Sequence, residues 1–307
     1  MDKDEIVIKV DNLTKDYGSQ KGIFNENFQI KCGQMVGFVG TNGSGKTTTI
    51  RSILGFIKPT SGNAYVNNLE SWQHSSQIVK HIGYVPGEIA FPDLGTGTAF
   101  LKSQASFLHI NNFDYANSLI EKLQLDPSAN LKRMSKGMKQ KTALVAALMA
   151  DPEIIIMDEP TTGLDPLMRE TFISIVGKEH QNGKTILMSS HMFEEVEDTC
   201  DSVMLISNGH LIDFVDMDVI HHPKVKEYKI EFLSQSDYAD FQHEGFNIIR
   251  LQNEYNQATI QIPKDEVGKL FKSLKNKKLK YISENKYTLE KHFLEKLKEH
   301  NKLEGGK

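Results

Sequence analysis

The segment from Gly40 to Thr47 constrains this chain more than any other part of its sequence. It fits the pattern G-x-x-x-x-G-K-[ST], follows the apolar run Met35–Val39 and opens a helical stretch. Glycines let backbone N–H groups approach a phosphate closely, and the first turn of a helix favours negative charge. A strand, a glycine-rich loop and a helix in this order predict a site for nucleotide phosphates rather than a ligand-free glycine turn.

Each part of this loop has a predicted task. The Lys46 ammonium reaches the β- and γ-phosphates, and the Thr47 hydroxyl ligates Mg²⁺. The candidate nucleotide-binding residues of the loop are Gly40, Asn42, Gly43, Ser44, Gly45, Lys46, Thr47 and Thr48.

Two adjacent carboxylates follow a second apolar run. Ile154–Met157 leads directly into Asp158 and Glu159. A strand of a parallel sheet that ends in a carboxylate brings it to the edge where the phosphate loop lies, so we expect Asp158 to hold Mg²⁺. Glu159 is then placed to orient and deprotonate an attacking water. Adjacent acids are also common on surfaces, but four β-type apolar residues before them argue against a solvated face.

Short apolar strands alternate with helical patterns over the first two thirds of the chain, which predicts an α/β fold with a parallel sheet between helices. From about residue 98 to 149 helical patterns follow one another without a strand, so we expect an inserted helical subdomain. The predicted strands are Ile6–Val10, Met35–Val39, Ile82–Val85, Ile154–Met157, Thr185–Met188 and Ser202–Ile206. The predicted helices are Lys46–Gly55, Thr98–His109, Phe113–Leu123, Lys136–Met149 and Leu167–His180.

The pattern changes near residue 220, and we predict two domains, residues 1–220 and 221–307. Pro223 disfavours helix in the residue before it, and little apolar sequence surrounds it, as in a linker. Strand and helix patterns then follow in the order β-α-β-β-α-β, which matches the split βαβ motif and predicts a small α+β, ferredoxin-like domain. Residues 264–307 carry 13 lysines and 7 acidic residues, within a total net charge of −4. A solvated helix face explains this excess better than nucleic acid or anionic lipid.

Composition and length exclude several classes of protein. With 307 residues, 25% of them charged and 39% hydrophobic, the chain is expected to be globular rather than disordered. No apolar run approaches the roughly 18 residues of a transmembrane helix. The start, Met1–Glu5, lacks the features of a secretory signal, and Cys32 and Cys200 are too few for a disulfide framework. We therefore expect a cytoplasmic protein.

Residues 4–218 resemble the nucleotide-binding subunit of an ATP-binding cassette (ABC) transporter. Beyond the phosphate loop and the two carboxylates, four further landmarks occur in that family's order. They are Tyr17 within Leu13–Gly18, the segment Met134–Gln140 where the family has its L-S-G-G-Q signature, the dimer-contacting loop Gly163–Asp165, and His191 after the strand Thr185–Met188.

The resemblance implies a set of roles. Tyr17 stacks on adenine, and His191 contacts the γ-phosphate. Ser135 and Gly137, at a helix N-terminus, meet the γ-phosphate bound by a second subunit. Lys46, Glu159 and His191 form the catalytic set, and ATP and Mg²⁺ are the expected cofactors.

This sequence departs from the family's pattern at two places. Lys136 and Met138 stand in the signature where the commonest form has Gly and Gln, and similar S-K-G-M segments occur in exporters of the ABC-2 type. Gly87 stands where the family has a glutamine that touches Mg²⁺ and the attacking water. We therefore name Glu88, or a water, as the substitute in the metal site, together with Thr47 and Asp158.

The resemblance also implies partners. It predicts an ATP-hydrolysing subunit of a transporter, an exporter of drugs, antibiotics or peptides, that pairs with a second copy or a paralogous ATPase chain. A separately encoded permease would hold it peripherally at the inner face of the cell membrane, and no nucleic-acid partner is expected. The alternatives are an ABC ATPase that acts on ribosomes or nucleic acid, and a regulatory ATP-binding module without turnover.

Overall fold

The structure is a computed structural model that describes residues 4–304, with side chains to residue 302. The chain divides into two compact units. Of the described residues, the first unit contains residues 4–216 and 299–304, and the second is Met217–Lys298. In the described range, no helix is both long and apolar enough to cross a membrane. The assignment of separate functions to the predicted domains, residues 1–220 and 221–307, stays a prediction.

In the described part of the first unit, the strands form two sheets, one mostly parallel and the other antiparallel. The strands are β1 (Ile6–Asp16), β2 (Gly22–Lys31), β3 (Met35–Val39), β4 (Ser61–Val66), β5 (Leu69–Glu70), β6 (Ile82–Val85), β7 (Ile154–Asp158), β8 (Thr185–Ser190), β9 (Ser202–Ser207) and β10 (His210–Asp216). The larger sheet has the order β10-β9-β3-β8-β7-β6, parallel from β9 to β6. Every residue of β3, β7 and β8 is buried, as a sheet covered on both faces requires. The predicted parallel sheet is confirmed.

The second sheet, β2-β1-β4-β5, is antiparallel and was only partly predicted. The predicted strand Ile6–Val10 is the start of β1, which belongs to this sheet and not to the parallel one. From Glu26 to Ile30, buried and exposed positions of β2 alternate as the pleat demands, and Glu26 itself occupies one of the fully buried positions. This charged residue interrupts the apolar alternation that signals a strand, so the sequence did not reveal β2.

Helices connect the strands of the first unit. They are α1 (Lys46–Ile53), α2 (Ser71–Ile78), α3 (Gly97–Phe107), α4 (Asp114–Lys122), α5 (Lys136–Leu148), α6 (Pro166–Gln181) and α7 (Phe193–Glu197). The predicted helical subdomain is confirmed, since α3, α4 and α5 follow one another between β6 and β7. Ile50 and Ile53 of α1 pack into one core with apolar side chains of both sheets, such as Ile30 and Phe38. This packing fixes α1, and with it the loop that precedes the helix.

The second unit has the predicted β-α-β-β-α-β order after a short helix. Its elements are α8 (Met217–His221), β11 (Val225–Phe232), α9 (Gln235–Gln242), β12 (Asn247–Gln252), β13 (Gln257–Pro263), α10 (Val267–Leu274), β14 (Leu279–Asn285) and the start of α11 (Leu289–Glu304). The four strands pair antiparallel in the order β12-β13-β11-β14. Tyr228, Ile230 and Ile260 of the sheet pack against Phe241 of α9 and Leu270 of α10 in a core of its own.

Candidate active site

The loop between β3 and α1 has the geometry of a phosphate cradle. Gly43 and Gly45 have φ angles of 80° and 121°, which L side chains rarely adopt. A Cβ atom on Gly40 would lie 2.4 Å from the Ile206 carbonyl oxygen, so the loop is held close to β9. Lys46 Nζ donates to the carbonyl oxygens of Gly40 and Thr41 at 2.7 and 3.2 Å. These bonds hold the Lys46 side chain along the loop.

The open polar groups of this loop fit a nucleotide phosphate. Gly45 is the N-cap residue of α1 and has no side chain to cap the helix, so the N–H groups of the first turn stay open. The buried Ser44 hydroxyl finds no hydrogen-bond partner among residues 4–302. Burial lowers the pKa of Lys46, and the nearby Glu159 carboxylate opposes that shift. A cradle of open donors around a buried ammonium is complementary to phosphate oxygens.

A cavity of about 1130 Å³ lies against this loop. Its lining includes Asn42 through Thr48 together with Tyr17 and Glu159. Tyr17 is 55% exposed, so its ring is accessible for stacking on a base, although Lys15 Nζ lies over one face of the ring, 5.4 Å from its centre. The loop residues proposed from the sequence therefore share one cavity with Tyr17. Gly40 lies below it, where its carbonyl group holds Lys46.

Thr47 and Asp158 meet at the end of the parallel sheet. The Thr47 hydroxyl donates to Asp158 Oδ2 at 2.7 Å, and the Ser189 hydroxyl donates to Asp158 Oδ1 at 2.6 Å. Hydroxyl and carboxylate oxygens are the ligands that Mg²⁺ prefers, and this ion usually takes only one or two carboxylates besides phosphate and water. Within residues 4–302 no cluster of three or more His, Cys, Asp and Glu side chains could hold a metal. One hydroxyl and one carboxylate, as in the pair Thr47–Asp158, fit the few protein ligands that Mg²⁺ takes when phosphate and water complete its shell.

The Glu159 carboxylate lies between the Lys46 ammonium and the His191 imidazole. Its Oε1 is 3.6 Å from Lys46 Nζ, and its Oε2 is 3.5 Å from His191 Nδ1. The backbone of Glu159 has a φ of 47°, a left-handed conformation that is uncommon for a residue other than glycine. This conformation turns the carboxylate into the cavity, beside the lysine of the loop. The structure thus brings together the three residues of the predicted catalytic set.

The predicted metal ligand Glu88 is exposed, while its neighbour Gly87 lies directly against Asp158. A Cβ atom on Gly87 would be 3.2 Å from Asp158 Oδ2 and 3.3 Å from the Asp158 carbonyl oxygen. Any side chain at position 87 would therefore press on the Asp158 carboxylate. The role of Glu88 as a ligand stays a prediction.

Ser135 and Gly137 are outside this cavity. Ser135 is exposed and caps α5, with its hydroxyl accepting from the Met138 N–H at 3.2 Å. A Cβ atom on Gly137 would lie 2.7 Å from the Gly163 carbonyl oxygen, so the signature segment and the loop Gly163–Asp165 pack backbone to backbone. The two landmarks form one surface that is separate from the lining of the nucleotide cavity.

Sequence reasoning missed several residues of the site. Phe24 and His210 line the cavity and stack on each other with ring centroids 5.4 Å apart. Phe24 belongs to the unpredicted β2, and no motif marks His210. Ser189 was missed although it directly follows the predicted strand Thr185–Met188 and lies two residues before His191.

Comparison with known proteins identifies the family. A family model described as "ABC transporter" matches residues 23–162. The bacitracin transport ATP-binding protein BcrA of Bacillus licheniformis is 33% identical over 245 residues, which cover 79% of this chain and 80% of that protein. This chain belongs to the ABC transporter ATP-binding proteins. The resemblance named from the sequence is confirmed, and the chain is an ABC ATPase.

Other relatives and solved structures support the same family assignment for this ABC ATPase. The linearmycin resistance ATP-binding protein LnrL of Bacillus subtilis is 34% identical over 211 residues, covering 67% of this chain and 68% of that protein. A solved ATP-binding subunit of an ABC transporter matches with a TM-score of 0.65 and 28% identity, over 70% of this chain and 92% of that one. A dimeric cassette with ADP and Pi matches with a TM-score of 0.62 and 23% identity, over 68% and 98% of the two chains. The predicted cassette fold is confirmed.

Proposed function

We propose that this ABC ATPase is the motor subunit of an exporter and acts as one of a pair of ATP-binding chains on a separately encoded permease at the inner face of the membrane. The observation that carries the hydrolytic part is the position of Glu159, 3.6 Å from Lys46 and 3.5 Å from His191, beside the pair Thr47–Asp158. A carboxylate in this position can accept a proton from water next to a bound γ-phosphate.

The residues of the site divide the work of phosphoryl transfer. The loop N–H groups and Lys46 hold the β- and γ-phosphates, and Tyr17 stacks on the base. Thr47 and Asp158 would hold a Mg²⁺ that enters with the nucleotide, and the ion would supply positive charge to neutralise the charge that develops on the phosphates. Glu159 orients water in line with the γ-phosphate, and His191 donates a hydrogen bond toward it. Such a reaction depends on positioning and charge stabilisation rather than on covalent catalysis by the protein.

A second chain completes the site in this proposal. Ser135 and Gly137 lie at the N-terminus of α5 and outside their own cavity, as expected of groups that meet a nucleotide held by a partner. The partner is a second copy or a paralogous ATPase, and ATP joins the two chains. Relatives named for bacitracin transport and linearmycin resistance favour outward transport of antibiotics, drugs or peptides.

Glu159→Gln tests the hydrolytic role. Because a positioned general base is worth about 10²–10⁴ in rate, this variant should bind ATP, form stable dimers with it on a sizing column, and turn over at least about 100-fold more slowly. Glu170→Gln removes the same charge from an exposed position of α6 and serves as the matched control. Hydrolysis by Glu159→Gln at the rate of the control would refute the role.

Partner capture tests the transport role. The chain should co-purify from membranes with a multi-helix protein encoded beside it, and this partner should stimulate hydrolysis. Recovery in ribosomal or nucleic-acid fractions instead would favour the alternative ABC ATPase of that class.

A further inference from the structure

A buried serine joins the two carboxylate residues of the site. Ser189, in β8, is completely buried and stands opposite Asp158 in the parallel register of β7 and β8. Its hydroxyl donates to Asp158 Oδ1 at 2.6 Å and accepts from the Glu159 N–H at 2.9 Å. We propose that Ser189 is a positioning residue for ATP hydrolysis, whose single hydroxyl sets both the Asp158 carboxylate and the backbone of Glu159. This inference rests on the proposed roles of those two residues.

The hydroxyl fixes the orientation of the Asp158 carboxylate. Thr47 donates to one oxygen of Asp158 and Ser189 donates to the other. A carboxylate that accepts a hydrogen bond at each oxygen, one from the half-buried Thr47 and one from the buried Ser189, cannot rotate freely about its terminal torsion. Asp158 Oδ2, the oxygen that faces Thr47 and would be offered to a Mg²⁺, therefore keeps its direction when the nucleotide arrives.

The same hydroxyl supports the unusual backbone of Glu159. A hydroxyl proton committed to Asp158 leaves the lone pairs of Ser189 Oγ for the Glu159 N–H. That N–H also points at the Ser189 carbonyl oxygen, at the longer distance of 3.2 Å. Both acceptors belong to one residue, and they hold Glu159 at its φ of 47°. Without the hydroxyl, the Glu159 N–H keeps only the longer hydrogen bond to the Ser189 carbonyl oxygen. The left-handed conformation of Glu159 then loses the shorter of the two hydrogen bonds that stabilise it.

A change in the Glu159 backbone would move its carboxylate away from Lys46 and His191. The two distances, 3.6 and 3.5 Å, are close to the limit at which such pairs interact. Misplacement of a catalytic group by about 1 Å can cost about 100-fold in rate. The nucleotide itself is held by the loop and by Tyr17, which Ser189 does not touch. Loss of the hydroxyl should therefore lower kcat with little change in KM.

Ser189→Ala is the test, with Thr185→Val as the matched control. Thr185 lies at the other end of the same strand, is also buried, and its hydroxyl accepts from the Gly33 N–H at 2.9 Å. Both variants remove one buried hydroxyl from β8, but only one of these hydroxyls faces the site. Ser189→Cys is made alongside, because a thiol fills the buried space but is a weak donor and acceptor.

Steady-state hydrolysis of MgATP by the full-length chain is measured for each variant, with nucleotide binding and thermal unfolding as checks of folding. We expect kcat to fall about 10- to 100-fold in both Ser189 variants, a KM within about threefold of wild type, and wild-type kcat in Thr185→Val. A kcat equal to that of Thr185→Val in either folded Ser189 variant would overturn the proposal.

A double variant tests whether Ser189 acts through Glu159. In the Glu159→Gln background, Ser189→Ala should lower the residual single-turnover rate by a smaller factor than in the wild-type background, because the part of its effect that passes through Glu159 is already lost. An equal fold loss in both backgrounds would overturn the proposal. A wild-type chain that does not hydrolyse ATP would instead refute the proposed function, which separates the two failures.

Discussion

Glu26 couples the stability of this ABC ATPase to pH. Its side chain lies fully buried beneath α1, where the Thr49 hydroxyl donates to it at 2.9 Å. Burial raises the pKa of Glu26 to about 8, from an ordinary value of 4.5, and the Thr49 hydrogen bond offsets only part of the rise. The group is thus neutral in the folded protein at pH 7 and ionised in the unfolded chain.

The sign of the effect follows from proton binding. Between pH 4.5 and about 8 the folded protein holds a proton on Glu26 that the unfolded chain has released. The free energy of unfolding therefore falls as pH rises through this window and levels off above it. Since one pKa unit corresponds to about 1.4 kcal/mol and the group is half titrated near pH 8, it removes about 2 kcal/mol between pH 6 and pH 8 and about 3 kcal/mol by pH 9.

Glu26→Gln removes the titration and keeps the shape of the side chain. Urea unfolding of the nucleotide-free chain, followed by circular dichroism from pH 6 to pH 9, measures the stability of variant and wild type. All other titrating groups are shared, so they cancel in the difference. The stability of Glu26→Gln relative to wild type should increase by about 3 kcal/mol from pH 6 to pH 9.

Glu121→Gln, at an exposed position of α4, is the control and should follow the wild-type curve. Parallel curves for Glu26→Gln and wild type across the whole range would refute the reasoning, because they would mean that Glu26 titrates alike in the folded and unfolded chain.

Two further predictions concern the nucleotide. Lys46→Ala should weaken ATP binding by about 10- to 100-fold in isothermal calorimetry, since it removes hydrogen bonds from a charged donor, and an unchanged affinity would exclude Lys46 from the site. Ser135→Asp should keep the thermal stability of the chain, because Asp caps a helix as well as Ser does, yet lose ATP-dependent dimerisation on a sizing column, because it turns a carboxylate toward the γ-phosphate of a partner. Dimers that form normally with Ser135→Asp would contradict the proposed pairing.

The sequence predicted those elements whose apolar pattern along the chain matches their burial in the fold. The strand, loop and helix around Lys46 follow from glycine spacing and an apolar run, and β3 and β6 have the predicted bounds. The β-α-β-β-α-β order of the second unit was also read from alternating patterns. In β3 every residue is buried and none is charged, so the short apolar run alone identifies the strand.

The missed features depend on contacts between distant residues. β2 was missed because Glu26 occupies an inward position, and only the fold provides Thr49 as its partner. Ser189 looks like any strand serine until the register of β7 and β8 brings it to Asp158. The approach of Gly87 to Asp158 is likewise a property of the folded sheet, which no spacing along the chain could show.

The separation of Ser135 from its own nucleotide cavity has a genetic consequence under the proposed pairing. A chain with Glu159→Gln damages the pocket that holds its own nucleotide, whereas a chain with Ser135→Asp damages the pocket of its neighbour. In a mixed pair both lesions fall in the same composite pocket, and the other pocket is assembled entirely from intact parts. Two alleles that are each inactive alone should therefore complement each other when they are expressed together.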